Sequence, residues 1–141
     1  MTLKKQWQLH PTLAKDCHVL GRTASVELLL HSNAALHWFI LVPHTSVVDL
    51  FDLEVYERDA LFAEAQRLSD HLKQTLNYPR VNVGALGLVV PQLHLHVVGR
   101  REDDPCWPAP VWGNLKTGDT YSAEQIEHVR GELDALGCFN A

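Results

Sequence analysis

Long apolar stretches are missing from this chain of 141 residues. Runs such as residues 38–42 are far shorter than the ~20 apolar residues that cross a bilayer. The two lysines near the N-terminus are not followed by the apolar region of a secretory signal. We therefore expect no membrane partner and a cytoplasmic location.

Cysteine and positive charge are also scarce. The three cysteines are far apart and include no CxxC pair, which argues against a disulfide framework. Twelve lysines and arginines stand against 17 aspartates and glutamates, for a formal net charge of −5. Because broad nucleic-acid binding needs a basic face, no nucleic-acid partner is expected. A small phosphate-bearing ligand is compatible with this charge, provided that local groups attract it.

The apolar content of 46% is enough for one domain spanning residues 1–141. Apolar residues at intervals of three and four predict a long helix over 55–76, and Ser122 with Gln125 forms a capping box that predicts a C-terminal helix. The expected class is α+β, an antiparallel sheet of about five strands with helices on one side. Strands are predicted at residues 25–31, 38–42, 80–83 and 89–99; within the otherwise irregular residues 1–23, residues 17–20 are compatible with a short strand.

The most informative stretch is Gln92-Leu93-His94-Leu95-His96-Val97-Val98, in which polar and apolar residues alternate. Alternation is typical of a strand, whose successive side chains lie on opposite faces. Gln92, His94 and His96 are therefore expected on one face, about 6.5–7 Å apart from one to the next. This spacing suits two imidazoles that act on one substrate group, and it also suits two ligands of one metal.

Two histidines in this register permit several chemistries. A neutral His94 can attack phosphorus and carry the transferred group covalently, provided that its other nitrogen is held by an acceptor such as a backbone carbonyl. His96 can then bond phosphate oxygens or the leaving group. A metal site is an alternative, but no third ligand stands at a defined spacing, and no metal is expected. The remaining alternative is a pair of histidines on a solvated sheet face.

The segment before this strand favours a phosphate ligand. Asn82, Gly84 and Gly87 form N-x-G-x-x-G and are assigned to substrate binding, because glycines let backbone N–H groups approach an anion closely. The alternative for Asn82 is to cap the turn before Gly84. Arg100 and Arg101 follow the strand and would add positive charge there unless they are solvated. The pattern is weak alone and much stronger ahead of the two histidines.

At these residues the chain resembles the histidine triad (HIT) family of nucleotide hydrolases and transferases, whose motif is His-φ-His-φ-His-φ-φ with φ apolar. The resemblance implies a HIT-like fold, a homodimer and no cofactor. It also implies cleavage at the α-phosphate of a purine nucleotide conjugate, either a phosphoramidate or a dinucleoside polyphosphate. The reaction would pass through a nucleotidyl-histidine intermediate, with a small nucleotide as the substrate.

The family roles transfer to this chain residue by residue. His94 matches the nucleophile, and His96 matches the last triad histidine, which contacts the phosphate and the leaving group. Asn82 matches the asparagine of the nucleotide site. Gln92, also assigned to substrate binding, replaces the first triad histidine, whose main-chain carbonyl holds the nucleophile in the family. The Gln-first motif and the closing DDPCWPAPVWG resemble a bacterial subgroup.

Departures from the family pattern motivate a second hypothesis, a catalytically weak or inactive nucleotide-binding module on the same fold. Trp38 stands where the family often has a histidine beside the first triad position, so the changes at Trp38 and Gln92 are expected to compensate each other. Leu88 stands where a polar residue would face the phosphate. Trp107 and Trp112 are expected to be packing anchors. The alternatives are that they line a base pocket or, as the resemblance implies for C-terminal segments, cross to a second subunit.

Overall fold

The computed structural model describes residues 6–116 and 118–139. The strands are β1 Cys17–Arg22, β2 Val26–His31, β3 Trp38–Pro43, β4 Arg80–Gly84 and β5 Leu95–Arg100. The helices are α1 Pro11–Asp16, α2 Val55–Asp70 and α3 Ala123–Ala135. The strands form one antiparallel sheet in the order β1-β2-β3-β5-β4. The predicted α+β class, with five strands, a long helix and a C-terminal helix, is confirmed.

The sheet has two distinct faces. Helix α2 packs on β3 and β5, and its predicted apolar stripe buries Leu61 and Leu68. Tyr78, which follows this helical region, packs against the side-chain position of Gly99 on β5. Because side chains alternate along a strand, Gly99 shares its face with Leu95 and Val97. We call this the helix face, and we call the opposite one, which carries His96, the site face.

The N-terminal stretch is more regular than predicted. Pro11 begins α1, where its missing N–H costs nothing, and the ring of His10 accepts a hydrogen bond from the backbone N–H of Thr12 over 3.1 Å. Strand β1 follows and pairs along nearly the whole of β2. Over residues 6–23 the expectation of mostly irregular structure is therefore wrong, because pairing with β2 stabilises a segment whose own pattern is weak; for residues 1–5 it lies outside the described residues.

Two other boundaries also differ from the predicted ones. Strand β5 begins at Leu95 rather than near residue 89, and Pro91, which has no backbone N–H to donate to a ladder, lies in the unpaired approach to it. Helix α2 ends at Asp70, and a π-helical turn over His71–Thr75 completes the helix that was predicted to run to residue 76. Because β5 begins at Leu95, His94 lies just outside the strand that carries His96.

The C-terminal helix begins as predicted. Ser122 and Gln125 form the reciprocal bonds of a capping box at the start of α3. Arg130 ties the helix to β1 by donating to the main-chain oxygens of Val19 and Leu20. Over the described ranges, no helix is both long and apolar enough to span a membrane. The cytoplasmic location stays a prediction.

Candidate active site

His94 is oriented by the backbone just before it. Its Nδ1 lies 2.7 Å from the main-chain oxygen of Gln92. Because a carbonyl oxygen only accepts hydrogen bonds, Nδ1 carries the proton, and Nε2 of the neutral ring keeps its lone pair. The side chain is largely buried, yet it lines two adjacent cavities. This is the orientation that an attacking imidazole needs.

His96 lies beside His94, but its Nδ1 has a different kind of hydrogen-bond partner. The indole N–H of Trp38 donates to Nδ1 of His96 over 2.9 Å. Burial, with smaller effects of His94 and His31, lowers the pKa of His96 from 6.5 to about 3. The ring is therefore neutral at physiological pH. The two imidazole centroids are 4.9 Å apart and their planes meet at 67°.

The two histidines lie between cavities of different composition. Leu86, Gly87 and His94 line both. The first cavity, of about 450 Å³, is otherwise lined by Val48, Asp49, Leu50, Phe51, Ala85 and Leu93. The second cavity, of about 560 Å³, is otherwise lined by Thr12, Leu13, Asp16, Cys17, His31, Trp38, Ile40, Leu88, Val89, Val90, His96, Trp112 and Gly113. Among the described residues, neither lining contains a lysine or an arginine.

The three residues of the N-x-G-x-x-G pattern have different positions. Gly87 lines both cavities and has a φ of +67°, which glycine adopts without strain. Gly84 pairs with His96, and a Cβ on it would lie 3.0 Å from the ring of Trp112. Its lack of a side chain therefore lets Trp112 close over the site face. Asn82 lines neither cavity, and its Oδ1 accepts a hydrogen bond from Arg100 over 3.1 Å.

The two arginines after the strand do not reach the histidines. Arg100 is buried and donates to Asp104 over 2.7 Å and to the main-chain oxygen of Ala109 over 2.8 Å. The guanidinium of Arg101 lies over the ring of Tyr78, 3.9 Å from its centroid. Arg100 is paired with Asp104, which offsets its share of the positive charge expected at the end of the strand. Arg100 is not solvated, because it anchors the loop that follows β5.

The side chain of Gln92 is turned away from the cavities. It accepts from the backbone N–H of His10 over 2.8 Å and donates to the main-chain oxygen of Gln8 over 2.9 Å. The prediction that Gln92 shares a face with both histidines is wrong, because the alternating strand has not yet begun at this position. Trp38 bonds His96 rather than Gln92, so the expected compensation between Trp38 and Gln92 involves no hydrogen bond between their side chains.

Sequence reasoning missed part of the site. His31, to which no chemistry was assigned, stacks on Trp38 with centroids 4.2 Å apart and planes 11° apart. Trp112 contacts His96 edge-on, with centroids 5.4 Å apart, and lines the second cavity, while a role in binding a base stays a prediction. Residues 48–51, expected only to connect elements, line the first cavity. Apart from the position of His31 at the end of an apolar strand, nothing in their spacing indicates these roles.

The described residues offer no clear metal centre. Within residues 6–116 and 118–139, no group of three or more His, Cys, Asp or Glu side chains is arranged to hold a metal ion. The sequence-based expectation of no cofactor stays a prediction.

Several solved protein structures are similar to this chain over nearly its whole length. A HIT domain family model matches residues 12–103. The structure of a histidine triad protein from Marinobacter aquaeolei VT8 is 37% identical, with a TM-score of 0.86 and coverage of 94% of this chain and 96% of that one. Histidine triad proteins from Bradyrhizobium japonicum and Sinorhizobium meliloti 1021 are 32% and 30% identical, each with a TM-score of 0.85. Those two alignments cover 93% and 92% of this chain and 98% and 96% of the respective relatives. No curated protein sequence matches significantly.

Proposed function

This chain belongs to the histidine triad (HIT) family, and we propose that it is a nucleotide hydrolase or nucleotidyl transferase. Membership of this family supports, in general, the fold of a nucleotide-binding hydrolase or transferase. The proposed reaction is cleavage at the α-phosphate of a purine nucleotide conjugate, either a phosphoramidate or a dinucleoside polyphosphate. The observation that carries the proposal is the 2.7 Å contact between Nδ1 of His94 and the Gln92 carbonyl, which leaves Nε2 available beside two cavities.

His94 is the proposed nucleophile. Its Nε2 lone pair forms a bond to the α-phosphorus, the bond to the leaving group breaks, and that electron pair departs with the leaving group. The Gln92 carbonyl stabilises the positive charge that develops on the ring. Water then attacks the phosphorus and gives up a proton to the solvent, while the bond between phosphorus and Nε2 breaks; this releases the nucleoside monophosphate and restores the neutral imidazole. His96 donates a hydrogen bond to a phosphoryl oxygen, where negative charge increases in the transition state.

The two cavities suggest how such a substrate lies. The second cavity has aromatic and aliphatic walls, among them Trp112 and Ile40, and its volume is within the usual range for small-molecule sites. We assign the nucleoside to this cavity and the leaving group to the first one. A planar base gains contact area from such walls without needing a charged partner.

The charges around the first cavity favour a phosphoramidate over a dinucleoside polyphosphate. The described residues that line it include one carboxylate, Asp49, and no lysine or arginine. A polyphosphate leaving group would bring extra negative charge beside Asp49 without a partner, whereas an amine brings none. Because His96 stays neutral, the departing amine takes its proton from water.

Substitution of His94 by alanine tests the proposal. We expect His94→Ala to lower turnover of adenosine phosphoramidate by about 10³-fold or more, because the covalent route is lost. Affinity for adenosine monophosphate should change little, since the cavity walls remain. Substrate labelled at the α-phosphorus should leave an acid-labile label on wild-type protein and none on the variant. Unchanged turnover in His94→Ala would refute the assignment of the nucleophile.

The same experiment separates the second candidate function, a nucleotide-binding module without turnover. That candidate draws on the replacement of the first triad histidine by Gln92 and on Leu88, which is 90% exposed at the mouth of the second cavity. The module hypothesis predicts nucleotide binding with no label on the wild-type protein. Label that is retained on the wild-type protein supports the enzyme and contradicts the module hypothesis.

We also propose a homodimer. Large apolar side chains are exposed around the cavities, with Phe51 79%, Leu88 90% and Val89 91% accessible. Exposed apolar patches of this kind commonly mark protein interfaces. Light scattering after size-exclusion chromatography should give twice the mass of the chain. A monomer at all micromolar concentrations would remove this proposal without affecting the nucleophile.

A further inference from the structure

We infer that Trp38 is a positioning residue, which fixes His96 in the opposite tautomer to His94 and turns its N–H toward the substrate. As a statement about catalysis, this rests on the proposed function; as a statement about tautomers, it rests on the hydrogen bonds alone. The two histidines differ in what faces their Nδ1 atoms. His94 faces an acceptor, the Gln92 carbonyl, whereas His96 faces a donor, the Trp38 indole.

The indole bond determines where the proton of His96 lies. An indole N–H can donate but cannot accept a hydrogen bond, so Nδ1 of His96 must accept and carries no proton. The proton of the neutral ring is therefore on Nε2. His94 has the reverse arrangement, with its proton on Nδ1. One ring thus offers a lone pair and its neighbour, 4.9 Å away between centroids, offers an N–H.

Trp38 is itself held in place from its outer side. The ring of His31 stacks on it almost in parallel, 4.2 Å away between centroids. Nδ1 of His31 accepts from the backbone N–H of Asn33 over 3.1 Å, which orients the stacked ring. The backbone turn after β2 therefore fixes His31, His31 packs against Trp38, and Trp38 fixes His96.

Burial lowers the pKa of His31, although Asp16, the one carboxylate among the described residues that line the second cavity, acts to raise it. Burial and two neighbouring histidines likewise act against a charged His96. The titratable groups that lower its pKa, after burial, are His94 and His31. The neighbouring strands present Trp38 from β3 and Gly84 from β4, and the loop after β5 presents Trp112, none of which titrates in this range. Protonation of Nδ1 would also break the indole bond. His96 is thus a hydrogen-bond donor to the phosphoryl group rather than an acid that gives up a proton.

The tautomers can be measured directly without substrate. In protein containing histidine labelled with the heavy nitrogen isotope, long-range proton–nitrogen correlation spectra distinguish the two tautomers from the charged ring. We expect wild-type His96 to carry its proton on Nε2 and to stay neutral between about pH 5 and about pH 8, with neutral His94 protonated on Nδ1. His96 protonated on Nδ1, or titrating near its ordinary pKa, would overturn the inference.

Trp38→Phe tests the role of the donor, because phenylalanine keeps a ring to stack on His31 but has no N–H. We expect His96 to become a mixture of tautomers and to protonate at a higher pH. The kcat for adenosine phosphoramidate should fall about tenfold with KM nearly unchanged, the effect expected for one lost hydrogen bond, and the acid limb of the kcat profile should move upward. An unchanged His96 tautomer in folded Trp38→Phe would overturn the inference.

Trp112→Phe is the matched control. Trp112 also contacts His96, but its buried indole nitrogen has no hydrogen-bond partner in the part of the chain that the structure describes. The variant should therefore leave the His96 tautomer unchanged, and a tautomer change equal to that of Trp38→Phe would contradict a specific role for Trp38. If wild-type protein forms no label but has the expected tautomers, the proposed function fails while the Trp38–His96 arrangement stands.

Discussion

The two faces of the sheet are both buried, but different interactions hold them. On the helix face of β3 and β5, the side chains that pack under α2 are apolar and no more than 2% exposed. They are Phe39, Leu41, Leu95 and Val97. On the site face, Trp38, His96 and Arg100 are at most 7% exposed, and each takes part in a side-chain hydrogen bond. These four side chains of the helix face are thus held by apolar packing, whereas the site face combines packing with paired polar groups.

This difference explains why polar residues are tolerated beneath the site. A buried donor or acceptor without a partner costs about 1–3 kcal/mol, whereas a paired one is close to neutral or favourable. The indole N–H of Trp38 donates a hydrogen bond to the unprotonated Nδ1 of His96. Arg100 donates hydrogen bonds to Asp104, Asn82 and Ala109. The site face can therefore place imidazoles in a dry environment while the sheet stays stable.

Among the substitutions on the site face, replacement of Arg100 is expected to lower the free energy of unfolding the most. Replacing Arg100 by leucine leaves the carboxylate of Asp104, whose side chain has no exposed area, without its ionic partner. We expect the free energy of unfolding at neutral pH to fall by about 3–5 kcal/mol, as is usual when half of a buried ion pair is removed. Denaturant unfolding followed by circular dichroism measures the loss. A loss below about 1 kcal/mol would mean that the site face does not depend on this pair.

A double variant and a pH series identify the cause of that loss. Replacing Asp104 by leucine as well should recover part of the stability, because no charge is then left unpaired. In the wild type, burial raises the pKa of Asp104, but hydrogen bonds from Arg100 and backbone N–H groups outweigh it and lower the pKa below 3.8. The contribution of Asp104 is therefore lost only as pH falls below about 3.8. In Arg100→Leu, burial dominates, and stability should instead rise as the solution is acidified from neutral pH.

The sequence was sufficient to predict the elements that form the helix face. Leu61 and Leu68 repeat at helical spacing, β3 beneath them is a continuous apolar run, and β5 begins with alternating apolar and polar residues, so these elements and their contact could be predicted. The exceptions are segments whose structure depends on a partner. Strand β1 is stabilised by β2, and β5 begins only where pairing with β3 and β4 becomes available. Local periodicity does not contain that information.

The site face could be predicted only in part. The spacing of His94 and His96, with the family resemblance, was sufficient to predict neighbouring imidazoles. The partners of these rings could not be derived in the same way. Trp38 and His96 are 58 positions apart in the chain, and their hydrogen bond exists only because β3 and β5 are adjacent. Motif matching assigned Asn82 to substrate binding but did not indicate its hydrogen bond with Arg100, and the substrate-binding role stays a prediction.

The smallest effect on activity is expected at Gln92. Within this one residue, the main chain and the side chain can be compared, because they contact different parts of the molecule. Its carbonyl orients His94, while its side chain bonds the backbone of Gln8 and His10. Gln92→Ala should therefore lower the free energy of unfolding by about 1–2 kcal/mol. It should change kcat less than about threefold, since the carbonyl that holds the nucleophile remains. A loss of kcat approaching that of His94→Ala, at unchanged stability, would mean that the side chain leaves the N-terminal segment to contact the substrate.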